Sequence, residues 1–88
     1  MVTLRVTIVN PLGLHARAAA RFVGTASRFK SHIQVTRGDR TIDGKSILGL
    51  LMLGAALGTA IDISADGSDE HDATLALSEL TARGFEES

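Results

Sequence analysis

Asn10-Pro11-Leu12-Gly13-Leu14-His15-Ala16-Arg17 is where the character of this chain changes. Before it, Val2, Leu4, Val6 and Ile8 alternate with Thr3, Arg5, Thr7 and Val9, the period of a half-buried strand. After it, Ala19, Phe22, Val23, Ala26 and Phe29 recur at helical spacing, with Arg17, Arg21 and Arg28 off that stripe. Between the two lie Asn10, Pro11 and Gly13, which are turn residues. The chain therefore opens strand, turn, helix, and the helix ends near residues 27–30.

Working outward, residues 32–36 carry Ile33 and Val35 in alternation, a second strand. Arg37-Gly38-Asp39 is a tight turn and residues 40–43 a short third strand, so the two strands form a hairpin. Ser46 is a good N-cap for a helix over residues 47–53, which Gly54 is placed to end. Residues 60–66 alternate Ile61, Ile63 and Ala65 with Asp62, Ser64 and Asp66, a fourth strand. Ser68 or Asp69 caps the last helix, Asp69 and Asp72 approximate a capping box, and Ala73, Ala76, Leu77 and Leu80 form its apolar stripe. Gly84 stops that helix, and Glu86-Glu87-Ser88 is expected to fray. The order β-α-β-β-α-β-α, with amphipathic strands and helices on one side, is an α+β open-faced sandwich. Its 88 residues predict a single domain over residues 1–88.

Composition narrows the chemistry. Nine Lys and Arg against ten Asp and Glu leave no basic excess for nucleic acid, and three Phe without Trp or Tyr offer few stacking platforms. A small-ligand or RNA-binding module on the same open sheet is thereby disfavoured. There is no cysteine, so disulfides, thiolate catalysis and Cys-based zinc sites are excluded. No two histidines have metal-ligand spacing, and no metal or cofactor is expected. The start lacks the pattern of a signal peptide, and the uncharged run of residues 47–61 is too short to span a bilayer and is broken by glycines. A cytoplasmic protein without membrane insertion is the expectation.

Two constellations carry chemistry. His15 stands where a helix begins, two residues after Gly13 and two before Arg17. Neutral imidazole is a nucleophile, the first N–H groups of a helix lack intrahelical partners, and a guanidinium binds phosphate in a fork. The backbone N–H groups of Ala16 and Arg17 and the Arg17 side chain thus complete a place where a phosphoryl group is received and held. No general base or carboxylate pair accompanies His15, which favours a transient phosphohistidine over hydrolysis. His32 and His71 read as surface residues.

The second constellation is Gly44-Lys45-Ser46-Ile47-Leu48-Gly49-Leu50-Leu51-Met52-Leu53. A P-loop would need glycine at position 39, which is Asp39, and that reading is rejected. The apolar residues cover every side of two helical turns, so a short helix on a sheet either buries them or presents some as a docking surface. Ser46 is first of all a cap. It is also an accessible hydroxyl at a helix start, where a phosphate is tolerated.

Gly13-Leu14-His15-Ala16-Arg17, Gly44-Lys45-Ser46-Ile47 and Ser68-Asp69-Glu70, in this order and spacing, closely resemble the HPr family of histidine phosphocarriers of the bacterial phosphoenolpyruvate:sugar phosphotransferase system. The resemblance covers essentially the whole chain. It implies an antiparallel sheet in the order 1-4-2-3 with three helices on one face. It also implies a carrier rather than an enzyme: His15 accepts phosphate on Nδ1 from phospho-Enzyme I and passes it to IIA domains of sugar transporters. Arg17 matches the family's active-site arginine. Ser46 matches the serine modified by HPr kinase/phosphorylase where that enzyme exists. Ile47, Leu48, Leu51 and Met52 fall on the partner-binding helix. Many family members have proline where this chain has Ala18, a change with little expected consequence because alanine is a strong helix former. The sequence leaves open a carrier of a regulatory, nitrogen-linked branch without sugar transport. A monomer is expected.

Overall fold

A computed structural model describes residues 1–86. Its elements follow the order read from the sequence: β1 (Val2–Thr7), α1 (Ala16–Ala26), β2 (His32–Arg37), β3 (Arg40–Asp43), α2 (Ile47–Leu53), β4 (Ala60–Asp66) and α3 (Glu70–Ala82), then a 3-10 turn over Gly84–Glu86. All strand pairs are antiparallel, and the sheet runs β1-β4-β2-β3.

The centre of the sheet shows why. β4 lies between β1 and β2, so Ile61, Ile63 and Ala65 are almost completely buried beside Ile33 and Val35. Those side chains join Ala18, Ala19, Phe22 and Ala26 of α1, Leu50 and Leu53 of α2, and Ala73, Leu77 and Leu80 of α3 in one apolar cluster. The opposite face of the strands is polar. It carries cross-strand pairs such as Thr3 with Ser64 at 2.9 Å and the Arg5 guanidinium with Asp62 at 2.9 Å. The predicted alternation is weakest in β1, an edge strand against which α3 packs but whose Leu4 is still 37% exposed. Ile8, read as part of the strand's alternation, is buried just past its end, where it exchanges backbone bonds with Thr59 and Gly58 at 2.9 and 2.8 Å.

Ser46 caps α2 as expected, its hydroxyl accepting from the Gly49 N–H at 3.0 Å, and Gly54 ends it in the left-handed conformation. The other end of the chain departs from expectation. Asp69 is the N-cap of α3, its carbonyl accepting from the Ala73 N–H at 2.9 Å, but its side chain makes no cap bond and no Asp69–Asp72 box forms. Its carboxylate is taken instead by the N–H groups of Lys30 and Ser31 at 2.8 and 3.0 Å and by the Ser31 hydroxyl. Glu70 takes over the reciprocal bond by accepting from the Gly67 N–H at 3.2 Å. The buried face of α3 also includes Thr74 and Thr81, whose hydroxyls donate to carbonyls one turn back at 3.0 and 2.9 Å. A hydroxyl satisfied by its own helix is cheap to bury, and an apolar stripe alone misses it.

Gly84 does stop α3, and Glu86 is placed in the 3-10 turn that follows. Gly84, Phe85 and Glu86 all have positive φ, and the turn drives Phe85 into the core with no exposure. Glu87 and Ser88 lie outside the described residues. Among the described residues no helix is long and apolar enough to cross a membrane.

Candidate functional site

The loop before α1 is pinned from two sides. Asn10 is buried, and its side-chain amide donates to the Gly13 carbonyl at 2.8 Å, closing the turn that Pro11 begins. Gly13 has φ of +65°, and a Cβ there would stand 2.6 Å from the Ala55 carbonyl oxygen, so neither the conformation nor the space admits another residue without movement. Leu14, also buried, donates its N–H to that same Ala55 carbonyl at 2.9 Å. The loop after α2 therefore braces the loop before α1.

Held this way, His15 is the N-cap of α1. Its backbone is extended, its carbonyl accepts the first helical bond from Ala19 at 2.8 Å, and its Nδ1 accepts from the Arg17 N–H at 3.3 Å. A neutral imidazole nitrogen that accepts an N–H carries a lone pair there, and the ring proton sits on Nε2. The nitrogen with the lone pair is thus the one aimed at the positive end of the helix. The Arg17 N–H, expected to be an unpaired helix donor, is engaged by the ring of His15 itself.

His15 and Arg17 line a cleft of about 590 Å³ together with Ala16, Ala18, Leu12, Arg21 and Phe85. Ala16 and Arg17 are exposed and Ala18 is buried at the back, so the position at which this chain lacks the family's proline is a packed one. The cleft, Arg21 and Phe85 were not legible in the sequence. Phe85 is 70 residues from His15, and Arg21 is one of three arginines off the helical apolar stripe. The i, i+4 spacing of Arg17 and Arg21 was the one available signal. His32 and His71 are exposed and do not line the cleft. Among the described residues no three potential ligands group to hold a metal ion.

α2 resolves the choice between burial and display. Only Leu50 and Leu53 enter the core, whereas Leu48 and Met52 are 67% and 65% exposed and Ile47 and Leu51 42% and 39%. Leu12 and Leu57, in the loops on either side of the Ala55 brace, are exposed as well. The helix is anchored from behind: the Arg40 guanidinium donates to the Met52 carbonyl at 3.0 Å, and the Lys45 ammonium to the Phe29 carbonyl at 2.8 Å. Ser46 is half-buried, with its hydroxyl committed to the cap.

Comparison with known proteins agrees with the geometry. The family model described as "PTS HPr component phosphorylation site" matches residues 2–83. A phosphocarrier protein HPr of Neisseria meningitidis is 51% identical over 80 residues, covering 91% of this chain and 90% of that protein. The crystal structure of HPr-C-His from Thermoanaerobacter tengcongensis superposes with a TM-score of 0.95 at 42% identity, covering 100% of this chain and 99% of that one. A crystal structure of an HPr dimer from the same organism gives a TM-score of 0.79 at 42% identity, covering 99% of this chain and 100% of that one. A histidine at a helix N-terminus, the strand order 1-4-2-3 and full-length similarity converge, and the chain belongs to the HPr family, the phosphocarriers of the phosphotransferase system.

Proposed function

We propose that His15 is the phosphoryl acceptor of this carrier, charged by phospho-Enzyme I and discharged to IIA domains of sugar transporters. The observation that carries the reading is the His15 Nδ1, an acceptor at the N-terminus of α1 and on a cleft shared with Arg17. In the transfer, the Nδ1 lone pair forms a bond to phosphorus while the bond from phosphorus to the donor's histidine nitrogen breaks, its electron pair returning to that nitrogen. The transition state is loose and asks chiefly for positioning and charge stabilisation. Once the lone pair enters the new P–N bond, the Arg17 N–H loses its acceptor on the ring and turns to a phosphoryl oxygen. The Ala16 N–H and the Arg17 guanidinium supply the remaining donors. No cofactor takes part.

The exposed side chains of Ile47, Leu48, Leu51 and Met52 are the surface on which Enzyme I and the IIA domains dock. The backbone bond from Leu14 to Ala55 keeps that surface in register with His15. Phosphorylation of Ser46 by an HPr kinase/phosphorylase would add charge at the edge of this apolar surface and weaken the encounter. We read the chain as a cytoplasmic, monomeric carrier in which residues 1–88 form a single HPr-like domain.

The test is incubation with phosphoenolpyruvate and Enzyme I, followed by mass spectrometry. The parent chain gains one acid-labile phosphate on His15 and the His15→Ala variant gains none. Labelling retained in that variant would overturn the assignment.

A further inference from the structure

Arg21 is a second arginine on the His15 cleft, one helical turn beyond Arg17 and on the same side of α1. Two guanidinium groups so placed repel each other mildly, and the described residues lining the cleft include no carboxylate to offset them. Arg21 is also held more firmly than an ordinary surface cation. Its Nη1 donates to the Phe85 carbonyl at 2.6 Å, and Phe85 is fully buried. That carbonyl belongs to a turn in which Phe85 and Glu86 have φ of +57° and +59°. Non-glycine residues in that region cost free energy that surrounding contacts must offset, here the burial of Phe85 and the bond from Arg21. The contact uses one of the five N–H donors of the guanidinium and leaves the others for the cleft. A planar cation fixed at one edge loses little freedom when it binds an anion at another.

We infer that Arg21 is a second phosphate-binding residue, holding the phosphoryl group on His15 together with Arg17 while its tether to Phe85 keeps it in place. The inference rests on His15 as the phosphorylated residue, and its test does not depend on Enzyme I. In a His32→Gln, His71→Gln background His15 is the sole imidazole. Potassium phosphoramidate then phosphorylates it directly: the ring lone pair forms the new P–N bond as the reagent's P–N bond breaks and ammonia leaves. The phosphorus-31 shift is titrated for this protein and for its Arg21→Gln and Arg21→Lys derivatives. Loss of a cation beside the phosphoryl group makes the Arg21→Gln form bind its last proton about tenfold more tightly, and Arg21→Lys restores most of the difference.

A lower melting temperature with an unchanged phosphorus titration would make Arg21 a tether only and overturn the inference. If Arg21→Gln does not fold, the background protein itself supplies the measurement. Its Arg21 side-chain nitrogen resonances shift on phosphorylation of His15, and resonances that stay put count against the inference. Failure of Enzyme I to label a chain in which these Arg21 effects are present would overturn the carrier reading and leave Arg21 standing.

Discussion

The backbone N–H of Ser31 donates to the Asp69 carboxylate at 3.0 Å, fastening the residue before β2 to the residue before α3. The Ser31 hydroxyl and the Lys30 N–H, the latter at 2.8 Å, donate to the same group. These bonds, the Ser31 hydroxyl first, hold the Asp69 carboxyl below its ordinary 3.8. The Gly67 N–H and then the N-terminal ammonium hold Glu70 below its ordinary 4.5, and Arg5 acts likewise on Asp62. Each of these groups binds protons more tightly in the unfolded chain. Their stabilisation is therefore complete above the unfolded values and is lost as pH falls through the lowered folded ones. Urea midpoints should be flat from pH 7 to about 5 and decline below the ordinary carboxylate range, and Asp69→Asn should flatten part of that decline.

Gly13 offers a sharper probe of the loop. Gly13→Ala places a methyl against the Ala55 carbonyl in a backbone that alanine disfavours. A destabilisation of about 1–3 kcal/mol is expected by thermal unfolding. Because the movement is taken up beside His15, phosphorylation by Enzyme I should slow by more than the lost stability explains. An unchanged rate would show that the brace is structural only.

How much of this was readable beforehand follows from where each signal resides. Ser46 and Gly54 delimit α2 because their capping chemistry is local, and β4 declares itself because Ile61, Ile63 and Ala65 sit at the sheet's centre. His15 and Arg17 were legible for the same local reason. The destination of Asp69 was not: its donors lie 39 and 38 residues earlier, and a nearby helix start was the more obvious partner. Nor could the pattern show that Phe85 and Glu86 adopt positive φ, which no local preference favours and only the burial of Phe85 rewards. The cleft is the joint product of such distant placements.

Ser46 permits cap and charge to be separated. Ser46→Ala should cost about 1 kcal/mol by loss of the bond from the Gly49 N–H. Ser46→Asp keeps a competent N-cap, so its melting temperature should stay near the parent's while phosphate uptake from Enzyme I slows. Equal uptake by both proteins would dismiss charge as the means of control.

Leu48 tests the docking surface. It is the most exposed large side chain of α2, so Leu48→Glu should alter stability by no more than about 0.5 kcal/mol. In a partner interface the same change buries an unpaired carboxylate, and kcat/KM for Enzyme I should fall by about tenfold or more. The phosphohistidine, once formed, should hydrolyse at the parental rate. A shorter lifetime would place Leu48 in the phosphate site and not on the docking face.

The pairing of β1 with β4 alone also governs when a newly made chain becomes competent. During synthesis β1 emerges before residues 60–66, its one neighbour in the sheet among the described residues, and waits for them. His15 is likewise present early, but the Ala55 carbonyl that seats its loop and the Phe85 carbonyl that anchors Arg21 come late. Assembly is therefore one cooperative event that awaits the residues around Phe85. A ribosome-stalled fragment ending before residue 60 would carry His15 without the sheet on which its loop is seated.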